Sequence, residues 1–308
     1  NQQSGYTGTG MRRSMSRLIV CSESDLPSVN MRAALMRMRD WEDMGSAGDA
    51  GFMRCGDDVM MSIPDMHIYR EGLDREAEAF GVDVDSVVVM SKHSAKSGRP
   101  ALTVHPIGNY HQADFGGRPE TLVRSSPFEM TDALRAIAAA DVDPGVQVCF
   151  EATHHGPYVE KPTFYIEIGS DESHWGDLVS AEILANVIAG AEPTDGCRPL
   201  VGIGGGHYAP RFTEAALSNR VAFGHMIPNY QLEGRDDEDV ARMVRDACRA
   251  TGTDSVYIHR KSMKGAEEHR IADIVRSEGF DTVSSKDFEP LGGNPRTSRR
   301  RAVRGWPS

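Results

Sequence analysis

Residues 86–93 read SVVVMSKH, and residues 146–157 read VQVCFEATHHGP. In each stretch a short apolar run, rich in β-branched residues, stops at histidine. Runs of this length bounded by polar or Gly-Pro signals are buried strands rather than helices. The layout recurs: ALTV ends at His105, LVGIGGG at His207 and VAFG at His225. Further strands are expected at RLIVC (17–21), 164–168 and 255–258.

Between these runs the spacing turns helical. Met31, Ala34, Leu35 and Met38 form one stripe; Ile183, Leu184, Val187 and Ile188 another. Val240, Met243, Val244 and Ala247 form a third, and Ile271, Ile274 and Val275 a fourth. Ser126-Pro127-Phe128-Glu129 reads as a capping box that opens a helix through Leu134 and Ile137. Alternating strands and helices predict an α/β fold, with a mostly parallel or mixed central sheet flanked by helices. Residues 106–125 carry few helix signals, and a smaller excursion or subdomain is expected there.

Ligands of open α/β sheets bind outside the carboxyl ends of the strands. If these strands are parallel neighbours, five histidines converge on one edge. Converging imidazoles ligate transition metals or move protons. Glu151, Glu167 and Asp114 are at hand as carboxylates, and a His-carboxylate mixture suits a zinc site with one open position. The expected ligands are His154, His155, Glu167 and His207. His93, His105 and His155 are the candidates for proton transfer. In extended chain the adjacent His154 and His155 point to opposite faces, so one of the two is expected in the site. The competing reading of any one of these histidines is a hydrogen-bonded core residue.

The loop Gly202-Ile203-Gly204-Gly205-Gly206-His207 follows a strand and lets backbone approach a ligand closely. Gly204, Gly205 and Gly206 form either a tight turn or a ligand cradle. His207 stands where a dinucleotide fingerprint needs its third glycine, and GxxxxGK[ST], HExxH and GxSxG are absent from the chain. Nicotinamide enzymes, P-loop NTPases, HExxH proteases and elbow-type serine hydrolases therefore lose support. Lys92, Lys96 and Arg99 share a loop beside His93, as a phosphate contact or as solvated charge.

The chain has 308 residues and a net charge of −11. That balance weighs against non-specific nucleic-acid binding, though a local basic patch remains open. Five scattered cysteines without a CxxC exclude a disulfide framework and a thiolate zinc ribbon. No apolar run approaches the ~18 residues of a membrane span. Residues 1–10 lack the apolar core of a signal peptide, so a cytoplasmic protein is expected. Residues 1–15 read as a flexible extension, 16–290 as the catalytic domain, and 291–308, with Arg299, Arg300 and Arg301, as a basic flexible tail.

Several segments are long enough to compare as whole motifs. SKHSAKSGRPALTVHPIGN (91–109), FEATHHGP (150–157), PTFYIEIGS (162–170), GIGGGHYAPRF (202–212) and AFGHMIPNY (222–230) closely resemble the zinc-dependent D-aminoacyl-tRNA deacylases of archaea and plants. MHIYREGLD (66–74) and HRKSMKG (259–265) are similar to the same pattern. The resemblance runs from about Arg17 to about Pro290. Residues 1–15 lie outside it, and Glu172-Ser173-His174 stands where a more acidic run is expected.

The resemblance implies hydrolysis of the ester of D-aminoacyl-tRNA to free D-amino acid and tRNA, a chiral proofreading step of translation quality control. It implies zinc, for which we expect two Zn2+ ions. It also implies a monomer with no obligate protein partner and no membrane, on a phosphorylase and peptidyl-tRNA hydrolase type of core. The alternatives are a peptidyl-tRNA hydrolase-like or nucleoside phosphorylase-like enzyme, and a non-catalytic RNA-binding protein.

Overall fold

A computed structural model describes residues 16–292. The expected extension at 1–15, and all but the first two residues of the expected tail, lie outside the described residues. The first half runs β1 (Ser16–Ser22), α1 (Leu26–Met38), β2 (Glu42–Ala47), β3 (Ala50–Cys55), β4 (Asp58–Ile63), α2 (Leu73–Ala79), β5 (Val84–Lys92), β6 (Ala101–His105), β7 (Gly108–Asn109), β8 (Thr121–Leu122), α3 (Pro127–Ala139), β9 (Gln147–Phe150) and β10 (Thr163–Gly169). The second half runs α4 (Glu172–Trp175), α5 (Leu178–Gly190), β11 (Arg198–Ile203), α6 (Pro210–Ser218), β12 (Val221–Ile227), α7 (Asn229–Leu232), α8 (Asp237–Thr251), β13 (Ser255–Ile258), α9 (Gly265–Ser277) and β14 (Asp281–Val283).

Eight strands form one sheet in the order β2-β3-β4-β1-β5-β10-β6-β9, and four form a second, β12-β11-β13-β14. The second sheet is parallel throughout. The first is mixed: β1 pairs parallel with β4 and β5, and β5 with β10, whereas β10 and β6 run antiparallel. The α/β class with a large central sheet flanked by helices is therefore as the sequence implied.

One face of the large sheet packs Ile19, Val88, Ile166 and Val104 against Met31 and Leu35 of α1, Leu134 and Ile137 of α3 and Leu184 of α5. The other face buries Leu18, Val87, Val89 and Tyr165 with Phe52 and Leu73. The small sheet packs Val201, Ile203 and Val256 on Val244 of α8 and Ile271 and Val275 of α9. Residues 106–125 fold as the short β7-β8 ribbon rather than as an independent subdomain, and Val123 joins the second face of the large sheet.

One local expectation is corrected. α3 begins at Pro127, yet the Ser126 hydroxyl makes no capping bond. Glu129 is held by the Ser86 hydroxyl at 3.2 Å on β5 instead of closing a capping box. The hairpins of β2, β3 and β4 carry no clean apolar alternation, and their tight turns at Gly48 and Gly56 are their main signal.

Candidate active site

Glu151 follows β9, and its N–H donates to the carbonyl of Val104 at 3.0 Å. The Ala152 N–H then reaches the His207 carbonyl at 2.7 Å, and the Thr153 N–H the Met226 carbonyl at 3.3 Å. Residues 151–153 thus cross from the edge of the large sheet to the small one. The buried donors of Ala152 and Thr153 find their partners by making that crossing.

His154 bridges in parallel to Ile107, and the His155 carbonyl accepts the Gly108 N–H at 2.8 Å. The backbone of His155 is left-handed, with φ of 45°. Alternation holds only for extended chain, and this turn breaks it. The two rings lie 4.5 Å apart, and His105 lies 4.2 and 4.9 Å from them. Both members of the pair enter the site, where one was expected.

The histidines converge across a sheet face, not along a carboxyl edge. β10 turns Phe164, Ile166 and Ile168 to the helix side and Tyr165 to the other. Glu167 shares the Tyr165 side by alternation. Because β6 runs against β10, His105 arrives opposite Tyr165, while His93 follows β5 near Gly169. Glu167 sits between them, its oxygens 3.5 Å from His105 Nε2 and 3.6 Å from His93 Nδ1. Gly169 leaves room for the ring: a Cβ there would lie 2.7 Å from His93 Cδ2.

Two chemically different sets share this face. In the first, Nδ1 of His105, His154 and His155 faces the carbonyls of Pro106, Ala152 and Gly156 at 3.0, 2.8 and 2.6 Å. A carbonyl only accepts, so each Nδ1 carries the hydrogen. Nε2 of His154 and His155 keeps its lone pair, whereas at His105 burial, which opposes charge, is outweighed by the facing Glu167, and the pKa is raised. His105 Nε2 is buried without a hydrogen-bond partner. One ring nitrogen from each of the three lies within 4.8 Å of the others. Burial, then the nearby His105, hold His154 and His155 well below the usual imidazole range.

In the second set, Glu151 Oε2 accepts from His207 Nε2 at 2.8 Å and from His93 Nδ1 at 3.1 Å. The far nitrogens meet tyrosine hydroxyls, His93 Nε2 with Tyr208 at 2.9 Å and His207 Nδ1 with Tyr230 at 3.2 Å. Burial opposes charge on Glu151, but the bonds from His207 and His93 outweigh it and hold its carboxyl well below the ordinary range. Burial likewise pulls His93 down, and Glu151 more than reverses it. Glu151 Oε1 is buried and unpaired, ready for a ligand.

Under the first set lies a support that the sequence reading missed. The Tyr165 ring contacts His105 and His155, and its hydroxyl meets His67 Nδ1 at 3.2 Å. His67 Nε2 is 3.6 Å from Asp25 Oδ2, which accepts the Lys92 N–H at 3.1 Å. All three side chains are buried. The one sequence signal was a histidine and a tyrosine inside two family-like segments.

The remaining expected residues divide. His225 lies inside β12, fully buried between Thr153 Oγ1 and the Val123 carbonyl, and is a core residue. Gly204 and Gly205 spend their amides on the Ile227 carbonyl and Ser262 Oγ, both at 2.8 Å. Exposed Gly206, beside His207, is the one of the three that keeps a free amide among the described residues. Lys96 and Arg99 are exposed on the loop after His93, and Asp114 is exposed outside the metal-capable groups.

A family model described as D-aminoacyl-tRNA deacylase matches residues 80–283. The chain is 37% identical to the D-aminoacyl-tRNA deacylase of Methanococcoides burtonii, over 91% of its own length and 58% of that relative's. It is 34% identical to the D-aminoacyl-tRNA deacylase of Methanosarcina acetivorans, over 89% of its own length and 94% of that relative's. The crystal structure of AF0625, a conserved protein of unknown function, superposes with a TM-score of 0.81 at 31% identity, covering 89% of this chain and 98% of that one. The chain thus spans just over half of the first of these relatives and nearly all of the other two proteins, the family match at 80–283 includes the histidine segments, and the chain belongs to the D-aminoacyl-tRNA deacylase family.

Proposed function

We propose that this chain hydrolyses the ester joining a D-amino acid to tRNA, with residues 16–290 as the catalytic unit. The observation that carries the reading is the pairing of the two sets. Three clustered imidazoles, each anchored through Nδ1, stand beside a hydrogen-bonded acid-base chain, and the buried carboxylate of Glu151 heads that chain.

Breaking the ester needs a water whose proton is removed, a donor to the ribose oxygen that leaves, and donors for the oxyanion. His93 or His207 takes the proton of the attacking water, because Glu151 stabilises the imidazolium that results. The same ring returns it to the ribose oxygen. The Gly206 amide is a donor for the oxyanion or the terminal ribose. Lys96 and Arg99 meet backbone phosphates. Selecting the D enantiomer needs several fixed contacts at once, since a single methylene changes specificity by only ~1–3 kcal/mol.

His105, His154 and His155 fit a divalent cation, zinc by the resemblance. His93, Glu151 and His207, with Glu167 between, would take a second ion in place of their proton-transfer role. Such a cation supplies Lewis acidity toward the ester carbonyl and acidifies water. The resemblance supports a cytoplasmic monomer, and among the described residues no helix is long and apolar enough to cross a membrane.

The test is one tRNA charged with D- or L-tyrosine, incubated with and without chelator, following free amino acid. Release from the D form alone supports the proposal. Equal release from both rejects chiral proofreading, and binding without release favours an RNA-binding module.

A further inference from the structure

The arginines of this acidic chain are largely spent on carboxylates: Arg17, Arg39, Arg70, Arg245 and Arg270 each pair with one to three. Two exposed turns beside the histidine face differ. Lys96 and Arg99 follow His93, and Lys261 and Lys264 follow His259; none of the four has an ion pair among the described residues. Cations left unpaired on an acidic surface mark where an anion is met.

The second turn is built into the site. Ser262 accepts the Gly205 N–H at 2.8 Å, and its carbonyl accepts from Asn229 Nδ2 at 2.6 Å. The Asn229 N–H in turn donates to the Gly205 carbonyl at 2.9 Å. Next in the chain is Tyr230, a residue 48% exposed with its hydroxyl on His207. An open aromatic ring, a free glycine amide and two unpaired lysines thus share one rigid stretch of surface.

We infer that Tyr230 and the turn 260–264 seat the unpaired 3′-terminal nucleotides of the tRNA. The Tyr230 ring stacks on the terminal base, and Lys261 and Lys264 meet the phosphates behind it. Proteins hold single strands by this combination of aromatic stacking and positive charge. The inference rests on the tRNA reading above. It adds that the terminal nucleotide enters from the His207 side, which places the ester next to Glu151.

The test is a binding cycle with the metal-loaded protein and two probes, an uncharged tRNA and the same tRNA lacking its 3′-terminal adenosine. The wild type should prefer the intact tRNA by about tenfold. Tyr230→Ala should remove that preference and leave binding of the shortened tRNA unchanged. Tyr230→Phe should keep it, since stacking needs the ring and not the hydroxyl. Lys261→Glu with Lys264→Glu should weaken both probes and flatten the salt dependence by about one unit or slightly more. Lys286→Glu, the same kind of substitution on another turn, should not. Equal losses on both probes from Tyr230→Ala, or none, overturn the seat. A wild type that binds both probes equally also overturns it and leaves the deacylase reading standing. A wild type that neither binds nor cleaves tRNA ends both.

Discussion

Oε2 of Glu151 lies 2.8 Å from Nε2 of His207, and this bond joins the edge of the large sheet to the glycine loop of the small one. Glu151 is fully buried, so its charge persists only because His207 and His93 both point hydrogen at it. Glu151→Gln keeps the shape and removes the charge. We expect turnover to fall by at least 10²-fold with tRNA affinity changed little, because the imidazolium formed during proton transfer loses its counter-ion. Glu151→Ala should in addition lower the melting temperature. Wild-type turnover in Glu151→Gln would place the chemistry elsewhere.

Gly169 sits against the His93 ring, and Gly169→Ala drives a Cβ to 2.7 Å from Cδ2. The sheet backbone cannot move far, so the ring must. Overpacking of this kind costs about 1–3 kcal/mol. We expect a modest drop in stability and a larger loss of turnover, read by thermal melts beside deacylation rates. A variant that loses stability and keeps full turnover would show that the position of His93 is not critical.

His225 gives a pH dependence of folding. Burial lowers its pKa from 6.5 to about 4, the Val123 carbonyl opposing. In the unfolded chain it protonates near pH 6.5, and in the fold it stays neutral to about pH 4. Its contribution is therefore complete above pH 6.5 and is lost as pH falls from 6.5 to 4, by on the order of 3 kcal/mol. Denaturant melts between pH 7 and 4 should show that slope, and His225→Gln should flatten it. An unchanged slope in the variant would assign acid sensitivity to other groups.

The strands and most helices were legible because Leu18–Cys21, Val87–Met90 and Phe164–Ile168 are apolar runs too short and too branched for helices. The site was legible as histidines at run ends, and His93, His105 and His207 do lie on one face. Three things were not. Nothing local announces that β6 runs against β10, which moves the convergence from an edge to a face. The left-handed turn at His155 is a backbone property that the residue type disfavours, so alternation predicted the wrong side for one ring. The buried support of Asp25, His67 and Tyr165 comes from three distant segments that only the tertiary fold brings together.

The metal-capable sets differ in readiness, and that difference predicts how ions bind. His105, His154 and His155 each anchor Nδ1–H on a carbonyl, and Nε2 meets at most a carboxylate at longer range, Glu167 at 3.5 Å from His105 and Glu151 at 3.6 Å from His154. His93 and His207 have both nitrogens engaged, one on Glu151 and one on a tyrosine hydroxyl. An ion entering the second set must break short tyrosine or carboxylate bonds, whereas the first set gives up only the longer carboxylate contacts of His105 and His154. Titration of metal-free protein with zinc should therefore show a tight site followed by a weaker one. His154→Ala should abolish the tight phase and spare the weak one, and His207→Ala should do the reverse. Zinc bound to native protein also raises the melting temperature by mass action, so the loss is readable without any activity assay. A single phase removed by His207→Ala and untouched by His154→Ala would reverse the assignment.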